Sequence, residues 1–260
     1  MKQPGRRTLM CALAFGVVRP ALANPMSVRE VIALLRRDQR ADLAGRDLSR
    51  LDLAELDFRG ANLTGANLFG ADLSGAKLAG ANLAGANLDR ATIIRADFSG
   101  ANLSGARMFL PAASSRLGEN PAVEAPAFRH ANLSGAHLLA KLGNGDWTGA
   151  NLSGAHLELG RTQFLAALRS DLSGCKLAGA DLSGANLSGI RLAFADLRGA
   201  NLVGANLTLT DLAGARLDGA DVTGAMLDRA DVNGASLRGL VGLDRVSGLD
   251  QIRNLGFAER

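Results

Sequence analysis

Three histidines, two cysteines and a recurring set of aspartates are the side chains of this 260-residue sequence that most invite chemistry. His137 and His156 occupy equivalent outward positions of a short repeat, 19 residues apart, which would stack the two imidazoles about 5 Å apart on one face. Such a pair could begin a metal site. A zinc centre, however, needs three or four protein ligands, and no acidic third ligand stands near them, so both read as solvated surface histidines, as does His130. The aspartates could pair for acid–base work. They recur with the repeat and alternate with asparagine, which points to turn-stabilising hydrogen bonds instead. Cys175 opens CKLAG at 175–179 and takes a small inward position, where a buried thiol is inert. The glycines fall every five residues with no helix to open, so no phosphate-cradling loop is present. No catalytic, cofactor-binding or metal-ligating residue is assigned, and an enzyme is not expected.

The elements that position these residues follow from one beat. Residues 61–88 read ANLTG ANLFG ADLSG AKLAG ANLAG ANLD, and the third residue of each unit is a large apolar one. From Leu43 to Met108 this central position returns every five residues, filled only by Leu, Phe, Ile or Met. The residue two before it is usually Ala, and residues two apart on an extended chain share a face, so both point inward. The polar residue between them points out. The fourth and fifth, often Ser-Gly or Ala-Gly, favour a turn. A short extended step and a bend every five residues make a coil, and one coil cannot cover its own open faces. Stacked coils bury a central column of Leu and Ala, each Leu contributing roughly 1.5–3 kcal/mol before chain entropy is subtracted.

These units resemble the pentapeptide-repeat family, whose consensus is A-(D/N)-L-x-x, and ANLSG itself stands at 101–105, 131–135, 150–154 and 185–189. The resemblance implies an all-β solenoid: a right-handed quadrilateral β-helix with four repeats in each 20-residue coil. The repeats number at most 36, which gives up to about nine coils and, at about 4.8 Å between strands, a stack roughly 40 Å long.

The beat divides the chain. Residues 24–40 hold a capping helix, with Ser27 and Glu30 forming a capping box ahead of an apolar stripe from Val28 to Leu35. The first part of the β-helix spans 41–108. A loop insertion or a damaged coil follows at 109–127, marked by Pro111, Pro121 and Pro126. The second part spans 128–239. Within it the phase slips by one residue, placed at Lys141 to Asp146 beside Trp147, a core or edge plug, and the beat weakens at 160–169. Residues 240–260 form a C-terminal cap, in which Leu249, Ile252, Leu255 and Phe257 predict a short helix that closes the last coil or pairs with a second copy.

Residues 1–23 carry Lys2, Arg6, Arg7 and Arg19, an apolar run from Thr8 to Val18, and Ala21-Leu22-Ala23, which fits a cleavage site. This is expected to be a signal peptide directing the protein to the periplasm or out of the cell, too short to span a membrane. Arg6-Arg7-Thr8-Leu9-Met10 resembles a twin-arginine signal, and a general secretory leader fits as well. Without Cys11 only Cys175 remains, so no internal disulfide forms. The formal charge of +4 belongs to this leader: removing its four basic residues from the 29 leaves 25 against 25 acidic ones. A neutral body argues against nucleic acid as partner. The expected function is therefore a non-catalytic extracytoplasmic scaffold that binds another protein, with a homodimer through the C-terminal segment as a further arrangement. The alternative implied by the family resemblance is a DNA mimic that binds a type II topoisomerase, which needs a strongly negative rod in the cytoplasm.

Overall fold

In a computed structural model of the chain, residues 26–38, 40–115, 122–158 and 169–259 are described; the leader expected at 1–23 lies outside them. The chain winds in coils of 20 residues. Asp42 pairs in parallel with Asn62, Asp47 with Asn67, Asp52 with Asp72 and Asp57 with Lys77. These pairs begin four ladders, termed here the first to fourth faces, which end at Val241, Ser247, Arg253 and Glu259 respectively. On the first face the Leu43 N–H donates to the Asn62 carbonyl at 2.7 Å, and the Asn62 N–H donates to the Ala41 carbonyl at 3.0 Å. The turn at the corner closes with the Ala66 N–H on the Leu63 carbonyl at 3.0 Å. The backbone of each repeat is thus satisfied by the coils on either side. Among the described residues longer strands occur only at Arg107–Phe109 (β1) and His137–Leu139 (β2), paired in parallel with Arg107 opposite His137.

The inward Ala and Leu form one continuous buried column. On the fourth face it carries a stack of rings: Phe98 and Phe128 lie 4.9 Å apart, and Phe128 and Trp147 lie 4.0 Å apart. Trp147 is fully buried, a core residue. Where a polar residue replaces the inward Ala, its side chain donates to a carbonyl of an adjacent coil. Thr210 reaches Leu187 at 2.7 Å, Cys175 reaches Leu142 at 3.1 Å and Ser170 reaches Leu138 at 3.4 Å, while Ser170 also donates to Leu157 in its own coil at 2.6 Å. An unmade bond at such a site would cost about 1–3 kcal/mol.

At the N-terminal end, helix α1 (Val28–Arg37) starts at the Ser27 capping box and sets Val31 in the core, with Leu34 and Leu35 half-buried against it. The Met26 N–H donates to the Asp47 carbonyl at 3.1 Å and ties the helix to the first coil.

Departures from the beat are all placed at corners. Ala112 pairs with Thr92 and Ala127 with Asp97, so the step from third to fourth face takes 15 residues instead of five. Pro111, Ala112 and Ala113 therefore belong to the coil, with Ala113 buried, and the excess of two repeats explains why Phe128 returns in the original phase. Glu124 clasps the base of this insertion, its carboxylate accepting from the Ser114 hydroxyl and from both the N–H and hydroxyl of Ser115. A second 15-residue step separates His156 on the second face from Asp171 on the third. The weak beat at 160–169 falls in that step, and 159–168 lie outside the described residues.

The phase slip is not at Lys141 to Asp146, which form an ordinary repeat. It lies four residues earlier: Lys141 takes the rung after His137 with only Leu138, Leu139 and Ala140 between them. Leu139 and Ala140 are both buried, so this corner turns without the usual exposed fifth residue.

The apolar spacing at 240–260 predicts a helix, but the structure extends the ladders there. Val241, Ser247, Arg253 and Glu259 pair with the coil above at a spacing of six residues. Each wide step holds a 3-10 turn (Leu243–Arg245, Leu249–Gln251, Leu255–Phe257) entered through a left-handed residue, Gly242, Gly248 or Asn254. The pattern is VGLDRV, SGLDQI, RNLGFA. Leu249, Ile252 and Leu255 fall three residues apart because each six-residue unit carries two evenly spaced apolar positions. Leu240, Val246, Ile252 and Ala258 pack half-buried beneath the core.

Gly145 fills an inward position that Ala fills elsewhere, and its backbone is not left-handed. A Cβ there would stand 2.8 Å from Trp147 Nε1 and 3.1 Å from the Leu142 carbonyl oxygen. Gly145→Ala is therefore expected to lower stability by about 1–3 kcal/mol in thermal melts. In the Trp147→Leu background the same change should cost less, a coupling that a double-mutant cycle measures.

Candidate functional site

The outward Asp and Asn side chains hold the turns. Asp42 Oδ1 accepts from the Ala44 N–H at 3.2 Å, and the pattern recurs at Asp72 with Ser74 and at Asn151 with Ser153. Asn amides also donate up the ladder, Asn62 to Asp42 at 2.9 Å and Asn102 to Asn82 at 3.0 Å. These carboxylates and amides are committed to structure.

His137 and His156 do stack, with ring centroids 4.9 Å apart and planes 11° from parallel. Their rung neighbours are Arg107 and Asn186, and Glu158 is engaged by Asn186 and by the Ser188 hydroxyl. Among the described residues no three potential ligands gather. His130 lies apart, its ring over Gly149.

A different signal picks out one side of the prism. The fifth residue of each repeat sits in the left-handed region, where Gly is the default and a side chain costs roughly 1 kcal/mol. Among the described residues eleven non-glycine residues adopt it nonetheless: nine beside the third face, His130 at the corner between fourth and first faces, and Asn254 in the last coil. Arg50, Arg90, Leu110, Leu209 and Arg229 stand at the corner between second and third faces. Glu55, Arg95, Asn144 and Phe194 stand between third and fourth. The corner between first and second faces is glycine at every regular repeat from Gly45 to Gly224. Both insertions and the short corner at Leu139 also flank the third face. Strain of this kind persists only where the surrounding structure holds it in place, and it clusters at binding and catalytic sites.

The chemistry on that side is cationic and apolar. The Arg50 and Arg90 guanidinium carbons each lie 5.9 Å from the Phe69 ring centroid, one coil above it and one below. Arg107 lies 5.2 Å from Phe109 and pairs at 2.7 Å with Asp89, a nearly buried carboxylate that also accepts from the Phe109 N–H. Next along this edge is a cavity of about 120 Å³ lined by Leu110, Pro111, Leu139, Ala140, Lys141 and Arg169. Leu110, Phe194 and Leu209 are exposed apolar side chains. The sequence does carry the signal, as non-glycine residues at fifth positions. It becomes legible only when the coil register is carried through both insertions and the slip.

The fourth face is a charge ladder, running Asp57, Lys77, Asp97 and, lower down, Asp146, Lys176, Asp196, Arg216. Opposite charges on facing rungs stabilise the sheet by a few tenths of a kcal/mol each. The Arg59 guanidinium, bonded to Asp57, holds that carboxyl at about 2, below its ordinary 3.8, and Arg198 lowers Asp196 in the same way. Asp47 and Asp221 are lowered by hydrogen bonds from Ser49 and Thr223. Burial pushes the Cys175 thiol up to about 12.

A profile of the pentapeptide repeats matches eight copies, over residues 39–75, 71–108, 170–208 and 205–239. The chain belongs to the pentapeptide-repeat family. The stretch left unmatched between 109 and 169 is the one that holds both insertions and the slip. Among solved structures, the chain is similar to HetL, a pentapeptide-repeat protein involved in heterocyst differentiation regulation in the cyanobacterium Nostoc sp. PCC 7120. Identity is 27% over 90% of this chain and 94% of that one, with a TM-score of 0.48. It is also similar to QnrB1, a plasmid-mediated fluoroquinolone resistance protein, at 20% identity over 80% of this chain and 92% of that one, with a TM-score of 0.36. A thylakoid-lumen pentapeptide-repeat protein of Arabidopsis thaliana is 30% identical over 49% of this chain and 72% of its own, with a TM-score of 0.20. No curated protein sequence matches.

Two measurements follow. A carboxylate with a depressed folded-state pKa stabilises the fold only while ionised. Its contribution is full above the ordinary value near 4 and is lost as pH falls through the folded value. The melting temperature should therefore hold steady from pH 7 to about 5 and fall between about pH 4 and 2, with Arg59→Ala shifting the fall upward. In protein lacking residues 1–23, Cys175 should leave a thiol-specific chromogenic reagent unreacted in native buffer and react once in guanidinium.

Proposed function

We propose that this protein is a non-catalytic binding scaffold, exported from the cytoplasm, that contacts another protein through its third face and the two corners beside it. The observation that carries this reading is the gathering of strained non-glycine turns and both insertions on one side, while the opposite corner stays regular. Export is supported by the basic, apolar and small-residue order of residues 1–23. In this reading the body is a right-handed four-sided helix, closed by α1 at one end and by the six-residue steps at the other. Val241, Leu249 and Phe257, exposed in those last steps, are the surface on which a second copy would pair.

A DNA mimic directed at a type II topoisomerase remains the second reading. Its requirement is a continuous negative surface, and the alternation of Asp with Lys and Arg on the fourth face speaks against it, as does the balance of 25 acidic and 25 basic residues beyond the leader.

Deleting residues 114–123 removes ten residues, two repeats, and joins Ala113 to Glu124 in phase. That variant should melt like the parent and lose the partner that the full chain captures from a periplasmic or secreted fraction. Fractionation with N-terminal sequencing should find the mature chain outside the cytoplasm, starting near Asn24. A purely cytoplasmic mature protein, or one that inhibits gyrase supercoiling, would reverse the ranking.

A further inference from the structure

We infer that the edge between the second and third faces, from Arg50 down to Lys141, docks a short segment of a protein partner in which acidic residues alternate with apolar ones. This rests on the scaffold reading and names the chemistry of its partner.

The first observation is a conflict between stability and sequence. Arg50 and Arg90 have φ of 58° in turns where glycine is the relaxed choice and where the intervening repeat has Gly70. A single cation–π contact at an exposed site offsets at most about the strain of one such residue. Folding alone therefore gives little reason for either arginine.

The second observation is what the two arginines present. One coil above and one below Phe69, the two guanidinium groups lie within cation–π range of its ring while their side chains stay exposed. Among the described residues neither has a carboxylate partner. A planar guanidinium kept near a ring and free of any intramolecular carboxylate can offer two-point bonding to a carboxylate of a partner. Two coils separate the arginines, about 10 Å at the strand spacing, close to the roughly 9 Å rise of one turn of polyproline II. Acids three residues apart on such a segment would meet both.

The third observation is the rest of the edge. Half-buried Phe109 and exposed Leu110 continue it as apolar surface towards the 120 Å³ cavity, whose lining includes the buried Leu139 and adds Lys141 and Arg169. The cavity is of the size of one aliphatic side chain. Cations interleaved with apolar groups fit an acidic, apolar peptide better than a phosphate or sulfate polymer, which is held by an unbroken run of cations and gathered by net positive charge. The acids of this edge are already engaged, Asp89 by Arg107 and Asp47 by Asn67 and the Ser49 N–H.

The test is fluorescence anisotropy of the purified full-length protein with a labelled ten-residue peptide repeating Glu-Leu-Pro. A Lys-Leu-Pro peptide, heparin and a single-stranded oligonucleotide serve as comparison arms. The Glu peptide should bind and the Lys peptide should not. The double variant Arg50→Gly/Arg90→Gly should weaken Glu-peptide binding about tenfold or more while melting at the same temperature or higher. That combination separates a docking role from a structural one, because structural arginines would lower the melting temperature when lost. The inference is overturned by no binding of the Glu peptide, by equal binding to the double variant, or by a melting temperature several degrees lower in that variant. Tighter binding of heparin or the oligonucleotide, abolished by the same substitutions, would reassign the edge to a polyanion and overturn it as well. A captured partner that is lost on deleting 114–123 but kept by the double variant leaves the scaffold reading standing and removes this one.

Discussion

Closure of the 20-residue coil is the constraint on which everything else depends. The Leu43 N–H finds the Asn62 carbonyl, and the Leu63 N–H the Asn82 carbonyl, only if four steps bring the chain back above itself. A repeat that overshoots on a face would break the ladder of every later coil. Extra or missing residues can therefore be accommodated only at corners, and that is where they are found: after Ala113, after Leu138 and after His156. The last coil obeys the same rule differently. Its steps lengthen together to six residues, and the ladders remain in register because all four sides widen at once.

Closure also explains why so few side chains are free to evolve a function. Two of every five residues point into the column, one holds its own turn through an Asx hydrogen bond, and one is held left-handed. The first face shows the result when nothing else intervenes: Asn62, Asn82, Asn102, Asn132 and Asn151 in line, followed at each corner by glycine. Its regularity is what stacking requires, and it carries no information about a partner.

Much of this was legible in the sequence. The period of five, the inward Ala and Leu, the capping box at Ser27 and the stacked imidazoles of His137 and His156 all follow from spacing and residue type. The sequence points the slip to Lys141-Leu142-Gly143-Asn144-Gly145, which looks damaged by its glycines, although Gly145 is there to clear Trp147 and the real loss is one turn residue beside Leu139. The last coil resembles a helix in sequence because Leu249, Ile252 and Leu255 are spaced like a helical stripe. The six-residue unit behind that spacing shows in the left-handed Gly242, Gly248 and Asn254. The sidedness of the prism was hidden for a different reason. Which corner a residue occupies is a sum over every step before it, so one misplaced residue moves all later ones to another corner.

Sidedness is the property that turns a uniform rod into a specific one. A four-sided solenoid offers four equivalent corners, and the folding energy of a repeat is indifferent to which of them bears a bulky residue. Left to stability alone, non-glycine turns would be rare and scattered evenly around the stack. Here they gather at the two corners beside the third face, at Arg50, Arg90 and Leu110 on one side and Glu55, Arg95 and Phe194 on the other. Strain of roughly 1 kcal/mol at each position is small against the whole column but large against the near-zero cost of reverting to glycine. The distribution therefore gives the rod one side whose corners differ in chemistry from the regular glycine corner opposite.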